Sequence, residues 1–326
     1  SEAVDTAMKI VMAYWTARGE ARHRFVSRER AYHGVNIGGV SLSGLVNNRR
    51  AFPITMPNIV HMRHTFTDED LFVPGCRESG LDRAEDLQRA IDNFGGETIA
   101  AVFVEPVAGS TGTLPPPIGY LKRLREICDA HGILLVFDDV ICGFGRIGGN
   151  FSADVFGVTP DIVTMAKALT NGSIPMGAVA VTDEVYDTVV GKAADGAIEL
   201  FHGYTYSGHP AACAAGLAAL SIYEEEGLFQ RARDMAPYFA EAMLSLQDHE
   251  LVRDIRTIGM MGNVEMFPGA KPGARGVLAQ TKLFWNGCHV KFTGDNGIVA
   301  PMFIAEKVHI DEIIYKIRKT LDELPR

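Results

Sequence analysis

The sequence has no paired cysteine motif, no zinc-protease motif and no long apolar run. The ten histidines form no HExxH, so no metal site is predicted. No apolar run approaches the length that spans a bilayer, so no membrane association is predicted. The cysteines are odd in number and form no CxxC pair, which favours free thiols in a reducing compartment and predicts a cytoplasmic protein. They are Cys76, Cys128, Cys142, Cys213 and Cys288.

Basic residues are also fewer than acidic ones. The 326 residues carry a formal net charge of −9, and the isoelectric point is near 5.6. This balance argues against a nucleic-acid partner or an anionic membrane surface. The content of 47% hydrophobic and 22% charged residues is ordinary for a globular protein, and the length predicts two domains.

Apolar strands alternate with helical segments in the first part of the chain. The pattern predicts strands at 98–104, 133–137, 162–165 and 178–182 and a helix at 121–131, with residues 35–44 and 47–64 left irregular. Such strands predict an α/β fold with a parallel or mixed sheet that is buried on both faces. Ligand sites in such sheets lie at the carboxyl ends of the strands.

The character of the chain changes after Gly208. Two long helical segments follow, and then short strands and a closing amphipathic helix. We therefore predict a large domain over residues 1–208 and a smaller α+β domain over residues 209–326. The helix that begins near His209 would join them.

Lys167 and Asp138 carry the strongest chemical signal. Lys167 follows an apolar run, where partial desolvation lowers the pKa of an amine, and a neutral amine attacks carbonyl carbons. Asp138 ends an apolar strand, where a carboxylate is costly unless it meets a cation. An amine and a buried acid of this kind are what pyridoxal phosphate chemistry requires. Read separately, they could be a surface lysine and a helix cap or salt bridge.

Other segments leave two interpretations open. Glu105 ends a strand and is either solvated or part of a site, and the turn Tyr32-His33-Gly34 is a packed aromatic or a cover for a flat cofactor. The turn around Thr205 suits a phosphate or simply caps a helix. Residues 143–148 match GxGxxG, which offers a dinucleotide-binding alternative, although breakers follow where a helix should start.

Together these segments resemble the class III (ω-amino acid) pyridoxal-phosphate aminotransferases of the β-alanine–pyruvate or ω-amine–pyruvate kind. The matching stretches keep the family's order across almost the whole chain. They read SEAVDTAMK, YHG, VEPVAGSTG, LLVFDDVICGFGRIG, DIVTMAKALTNGSIPMGAV and FHGYTYSGHPAACAAGLAAL. The resemblance implies the fold type I architecture of pyridoxal-phosphate-dependent transferases, with a mostly parallel central sheet in the large domain.

The resemblance also implies roles for individual residues. Lys167 would form the Schiff base with pyridoxal 5'-phosphate, and Asp138 would pair with the pyridinium nitrogen. The remaining site residues would surround the ring, the phosphate or the substrate. They are Tyr32 and Val140 as the two covers of the ring, His33 and Glu105 beside it, Ser1 at the phosphate, and Thr205 reaching the phosphate of a neighbouring subunit. The implied assembly is a homodimer or a dimer of dimers.

Three departures from the family pattern are visible. The family has a further segment before SEA, so this sequence is expected to lack its natural beginning. The family usually has Asp-Glu where this chain has Asp138-Asp139. The arginine that binds the substrate carboxylate in the family is replaced here by Lys291, which keeps the charge but loses the bidentate fork.

The expected activity is transfer of an amino group from a β-alanine-like ω-amino acid or amine to pyruvate. The substrates are thus a small-molecule amine donor and a keto acid. Two alternatives remain at this point. One is a truncated, non-catalytic protein with the same fold, and the other is a nicotinamide-dependent oxidoreductase that uses residues 143–148.

Overall fold

A six-stranded mixed sheet forms the centre of the first part of the chain. The computed structural model describes residues 1–52, 55–193 and 196–325. The strand order is β2-β1-β3-β4-β5-β6, with all neighbours parallel except β5 and β6. The predicted α/β class is therefore confirmed. The strands are β1 (Arg24–Arg28), β2 (Ile59–Met62), β3 (Ile99–Val104), β4 (Leu134–Asp138), β5 (Ile162–Met165) and β6 (Ala178–Val181).

Helices cover both faces of this sheet. The helices of this part are α1 (Glu2–Arg18), α2 (Ile37–Leu42), α3 (Val46–Arg50), α4 (Glu85–Phe94), α5 (Tyr120–His131), α6 (Ser152–Phe156) and α7 (Asp183–Val190), with 3-10 turns at Leu81–Ala84, Gly96–Thr98 and Lys167–Leu169. α1 packs on one face through apolar residues at helical spacing, and α4 and α5 pack on the other. Trp15 anchors α1 by donating its indole N–H to the Ala100 carbonyl at 2.9 Å.

A four-stranded antiparallel sheet forms the second part of the chain. Its strands are β7 (Val252–Ile258), β8 (Met261–Met266), β9 (Lys291–Thr293) and β10 (Asn296–Val299), in the order β7-β8-β10-β9. The helices of this part are α8 (Pro210–Glu225), α9 (Leu228–Leu244), α10 (Ala274–Trp285) and α11 (Lys307–Asp322). Their apolar residues bury one face of the sheet.

The opposite face of the small sheet is polar. Residues paired directly across antiparallel strands point to the same side, and Arg256 pairs with Asn263, Asn263 with Ile298, and Ile298 with Lys291. Arg256 contacts loop residues that follow β3 of the large sheet. The polar face is therefore turned toward the carboxyl edge of the large sheet, and Lys291 lies on that same face.

Two segments expected to be irregular contain regular structure. Residues 35–44 include α2, and residues 47–64 include α3 and the strand β2, apart from 53 and 54, which lie outside the described residues. β2 is an edge strand with three half-buried residues before the buried Met62, and its sequence shows neither clean alternation nor a continuous apolar run. The strand exists because it pairs in parallel with β1. The division at residue 208 stays a prediction.

No helix in the described part of the chain has both the length and the hydropathy needed to cross a bilayer. The same residues contain no group of three or more histidine, cysteine or acidic side chains arranged to hold a metal ion.

Candidate active site

Asp138 is the last residue of β4 and is held at the carboxyl edge of the large sheet. The residue is only 5% exposed. His33, which follows β1, places Nδ1 2.8 Å from one oxygen of Asp138, and the backbone N–H of Val140 donates to the other oxygen at 3.3 Å. The carboxylate is therefore fixed in position, while its lone pairs leave room for a further donor.

The neighbouring acid, Asp139, points away from Asp138. It accepts hydrogen bonds from the backbone N–H of Ser152 at 2.9 Å and from the Ser152 hydroxyl, at the start of α6. Burial raises the pKa of Asp139 to about 6. Adjacent strand residues face opposite sides, so Asp139 supports the fold while Asp138 faces the site. Ser152 was not identified from the sequence, since nothing in the local pattern links it to a residue 13 positions earlier.

Glu105 lies just past β3 and ties two site segments together. One oxygen accepts from the Tyr32 backbone N–H at 2.9 Å, and the other accepts from the Gly109 N–H at 3.2 Å. Burial raises the pKa of this carboxyl group. Gly109 was also missed from the sequence, although it stands four residues after a strand-end acid in a Gly-rich loop.

Lys167 follows β5 and opens the 3-10 turn Lys167–Leu169. Its backbone adopts the left-handed region with φ of 46°, which is uncommon for a residue with a side chain. Part of the side chain is exposed, yet surrounding protein atoms displace water from the amine and lower its pKa. The negative charges of Asp138 and Glu105 oppose that shift, and the positive charge of Lys291 reinforces it.

Ser1 precedes α1 beside the turn that carries His33. The Ser1 hydroxyl accepts the N–H of Val35 at 2.9 Å and does not cap the helix. A Cβ on Gly34, whose φ is 101°, would lie 2.6 Å from the Ser1 Cα, so only glycine permits this approach. The first N–H groups of a 17-residue helix therefore remain available to an anion.

The predicted residues do not all meet in one place. Tyr32, His33, Glu105, Asp138, Val140 and Lys167 form one cluster, and Ser1 adjoins it through Gly34 and Val35. Lys291 lies close enough to influence the charge of Lys167. Thr205 is exposed in the turn before α8, and its side chain bonds to none of the site residues in the described part of the chain.

The GxGxxG segment, residues 143–148, packs against the second part of the chain. The Arg146 carbonyl accepts the Met260 N–H at 2.9 Å, and the Arg146 guanidinium donates to the Met260 and Pro301 carbonyls, each at 2.8 Å. A Cβ on Gly145 would lie 2.5 Å from a ring carbon of Phe229. The following helix, α6, has five residues. The loop is therefore a packing element, and a dinucleotide site is not favoured.

The cluster suits a flat, cationic, phosphorylated ring. A buried carboxylate with spare acceptor capacity suits a protonated ring nitrogen, and the half-buried Tyr32 and Val140 offer surfaces for the ring faces. The uncapped helix terminus suits a phosphate. The amine of Lys167 suits a carbonyl carbon. These groups fit pyridoxal phosphate.

The mixed sheet, the smaller antiparallel sheet and this cluster define a pyridoxal-phosphate-dependent transferase of fold type I. The sequence profile described as "Aminotransferase class-III" matches residues 1–321, and the chain belongs to that family. An omega-aminotransferase of Caulobacter vibrioides is 48% identical over 99% of this chain and 74% of its own length. A beta-alanine–pyruvate aminotransferase of Pseudomonas aeruginosa is 43% identical, with coverages of 99% and 72%.

Solved structures of transaminases share the architecture. The omega transaminase from Pseudomonas jessenii in complex with PMP has a TM-score of 0.93 and 32% identity, over 99% of this chain and 73% of that one. A structure described as a transaminase with L-ala has the same TM-score and 34% identity, over 99% and 78% of the two chains. The predicted family, fold type and cofactor are thus confirmed, and the enzyme is an aminotransferase.

Proposed function

We propose that the chain moves an amino group from a β-alanine-like ω-amino acid or amine to pyruvate, with Lys167 holding pyridoxal phosphate. The observation that carries the proposal is the amine of Lys167, with its lowered pKa, in the field of the buried Asp138 carboxylate. The similar omega-aminotransferase and beta-alanine–pyruvate aminotransferase support the choice of substrates.

Each residue of the cluster has a proposed task in holding the cofactor. Asp138 faces the ring nitrogen, and His33 keeps that carboxylate in place. Tyr32 and Val140 cover the two ring faces, and Glu105 fixes the backbone of Tyr32. Ser1 and the start of α1 receive the phosphate. When bound, pyridoxal phosphate withdraws electrons from the substrate carbon that bears the amino group.

Lys167 also serves as the base. Its lowered pKa increases the fraction of neutral amine near neutral pH, and a neutral amine accepts a proton from the substrate carbon and later returns one. The nearby carboxylates of Asp138 and Glu105 favour the protonated form, so Lys167 can hold the proton between the two transfers.

Lys291 is the proposed contact for a substrate carboxylate. It is exposed on the polar face of the small sheet, and its charge reaches Lys167. A lysine offers a point charge without a planar fork, so carboxylate binding at this position is less directional than with arginine.

We further propose that the protein works in the cytoplasm as a homodimer or a dimer of dimers. Thr205 is exposed, and its side chain bonds to none of the other site residues in the described part of the chain. Both observations support a role at the phosphate site of a second subunit. Large exposed side chains in the same segment, such as Phe201 and Tyr206, give that subunit an apolar surface to cover. The proposed domains are residues 1–208 and 209–326.

The test is cofactor capture by wild type, Lys167→Ala and the control Lys122→Ala, which removes an exposed lysine of α5. With pyridoxal phosphate, wild type and control should gain a visible absorbance band, and borohydride should fix the cofactor mass on the peptide that contains Lys167. The Lys167→Ala protein should do neither and should not convert β-alanine and pyruvate. Trapping on a different lysine would overturn the assignment.

Neither alternative has a supporting observation. The GxGxxG loop is filled by packing contacts, which disfavours a nicotinamide cofactor. The similar curated relatives are named as aminotransferases, and the cluster of Lys167, Asp138 and Glu105 is present in this chain, which disfavours a non-catalytic protein.

A further inference from the structure

The loop that follows β3 has a strained tip. Ala108 and Leu114 exchange backbone hydrogen bonds of 3.2 and 2.9 Å across its base. At the tip, Gly112 has φ of 117° and Thr113 has φ of 47°. Thr113 adopts the left-handed region despite its branched side chain, so its surroundings must hold it there.

Arg256, on the polar face of the small sheet, holds this tip. Its Nε donates to the carbonyls of Gly112 at 2.9 Å and Thr113 at 3.2 Å. The Arg256 side chain is almost fully buried. A Cβ on Gly112 would lie 2.6 Å from Oδ1 of Asn296, so the tip fits against the sheet only as glycine.

Two carboxylates fix the guanidinium of Arg256. One of its terminal nitrogens donates to Asp254 at 2.7 Å and to Glu265 at 2.5 Å, and the other donates to Asn296 at 2.7 Å. Arg256 also belongs to a group of four guanidinium groups around the ring of Phe66, with Arg30, Arg77 and Arg253. Nε and both terminal nitrogens of Arg256 thus have hydrogen-bond partners, and the position of the guanidinium is set independently of any ligand.

The base of the same loop reaches both sides of the cofactor site. The Gly109 N–H donates to Glu105, which in turn accepts the N–H of Tyr32. On the other side, a Cβ on Gly109 would lie 2.8 Å from a methyl carbon of Ile141, the neighbour of Val140. The loop therefore touches the supports of both side chains that are proposed to cover the ring.

We propose that Arg256 is a positioning residue that fixes the spacing between Tyr32 and Val140 through the loop of residues 108–114, an inference that rests on the proposed function. Arg256 does not touch the reacting atoms. Arg256 ties the loop to the small sheet, and the loop in turn fixes the positions of Glu105 on one side and Ile141 on the other. The small sheet thereby defines the width of the slot between Tyr32 and Val140, two residues carried by the large sheet.

Arg253 supplies a matched control. It lies on the same strand and in the same group around Phe66, but its bonds go to Glu265 and Asp68 rather than to the loop. Arg253→Met and Arg256→Met each remove one guanidinium from the group. Only Arg256→Met removes the donors to Gly112 and Thr113.

The first experiment follows backbone hydrogen exchange in the full chain without cofactor. In Arg256→Met, the amides of residues 108–114 should exchange about tenfold faster than in wild type, because local opening of the loop becomes easier. Arg253→Met should leave them unchanged. Arg256→Lys, which keeps one donor and the charge, should give an intermediate rate. Equal exchange in Arg256→Met and Arg253→Met would overturn the proposal.

The second experiment adds pyridoxal phosphate and compares its dissociation constant and the visible circular dichroism of the bound ring. Arg256→Met should bind about tenfold more weakly, as expected from the loss of a charged hydrogen bond, with an altered dichroic band. If Arg256→Met does not fold, Gly112→Ala disrupts the same contact from the loop side and should give the same changes. An unaltered band in both variants would refute the positioning role. Failure of wild type to bind the cofactor at Lys167 would instead refute the proposed function.

Discussion

Burial of Asp139 next to the site makes the stability of the protein depend on pH. Its raised pKa, about 6, means that the folded protein binds a proton more readily than the unfolded chain. The contribution of Asp139 to stability therefore falls as the pH rises from about 4 to 6, by at most about 3 kcal/mol. The hydrogen bonds that Ser152 donates stabilise the ionised carboxylate of Asp139 at neutral pH.

The Asp139→Asn variant tests that sign, since asparagine resembles the protonated acid and does not ionise. The free energy of unfolding of wild type, relative to the variant, should be higher at pH 4.5 than at pH 7. Urea unfolding at both pH values measures it. Glu224→Gln, at an exposed acid of α8 away from Asp139, is the control. A wild-type-minus-variant difference that stays constant between the two pH values would contradict the prediction.

The proposed role of Lys291 predicts two separable effects on the reaction. Lys291→Met should raise the KM for β-alanine about tenfold or more, through loss of a charged hydrogen bond, and should leave a carboxylate-free primary amine little affected. Lys291→Arg should lower the KM for β-alanine, because the guanidinium fork matches a carboxylate. Steady-state kinetics with both donors distinguish these outcomes. Lys319→Met, on the far side of the small sheet, is the control.

The same Lys291→Met variant should shift the pH profile. Removing a like charge favours the protonated amine, so the pKa of Lys167 should rise. The rate of cofactor capture by the protein without cofactor should then reach half its maximum at a higher pH than in wild type. An unmoved profile would show that Lys291 does not act on Lys167.

At the scale of elements, the start of α1 depends on one glycine. Gly34→Ala should push Ser1 away and weaken binding of pyridoxal phosphate about tenfold, equal to about 1.4 kcal/mol. Gly19→Ala is the matched control: it also has a left-handed φ, 74°, but its Cβ would meet no atom within 4 Å. Both variants should lose thermal stability, whereas only Gly34→Ala should lose cofactor affinity in a fluorescence titration.

Elements with continuous apolar sequences were predictable, and those defined by their partners were not. β3 and β4 could be placed from sequence because burial on both faces demands a nearly uninterrupted apolar run, and β5 followed from its mostly apolar residues although Val163 and Met165 are only half-buried. β2 could not, because only its pairing with β1 identifies it. α7 was missed for a similar reason, since its buried side is narrow and its main support is packing against α1.

The site shows the same division. Lys167 and Asp138 carry a local signal, a charged group directly after an apolar strand. The bond between His33 and Asp138 joins residues 105 positions apart, and Arg256 meets Gly112 across 144 positions, so no local pattern reveals either. The resemblance to a family supplied the roles of Ser1 and Thr205, and its substrate arginine pointed to Lys291.

At the scale of the whole molecule, Arg146 joins the two sheets. Arg146→Met removes two hydrogen bonds from a charged donor and the contact with the Phe303 ring, which lies 4.5 Å from the guanidinium carbon. The loss should amount to about 3 kcal/mol and should lower the midpoint of thermal unfolding. Arg233→Met, at an exposed arginine that donates to Gly148 of the same loop, should change it little. Similar midpoints for the two variants in calorimetry would contradict this role.

The chain completes one sheet before it begins the other. All six strands of the large sheet precede residue 182, and all four strands of the small sheet follow residue 251. A growing polypeptide thus presents Lys167 and Asp138 to the cell before Arg256 and Lys291 have been made. With Arg256 in its proposed role, the slot between Tyr32 and Val140 would acquire its final width only when the last strands emerge. A nascent chain would then fold its central sheet early and bind the cofactor loosely until synthesis is nearly finished.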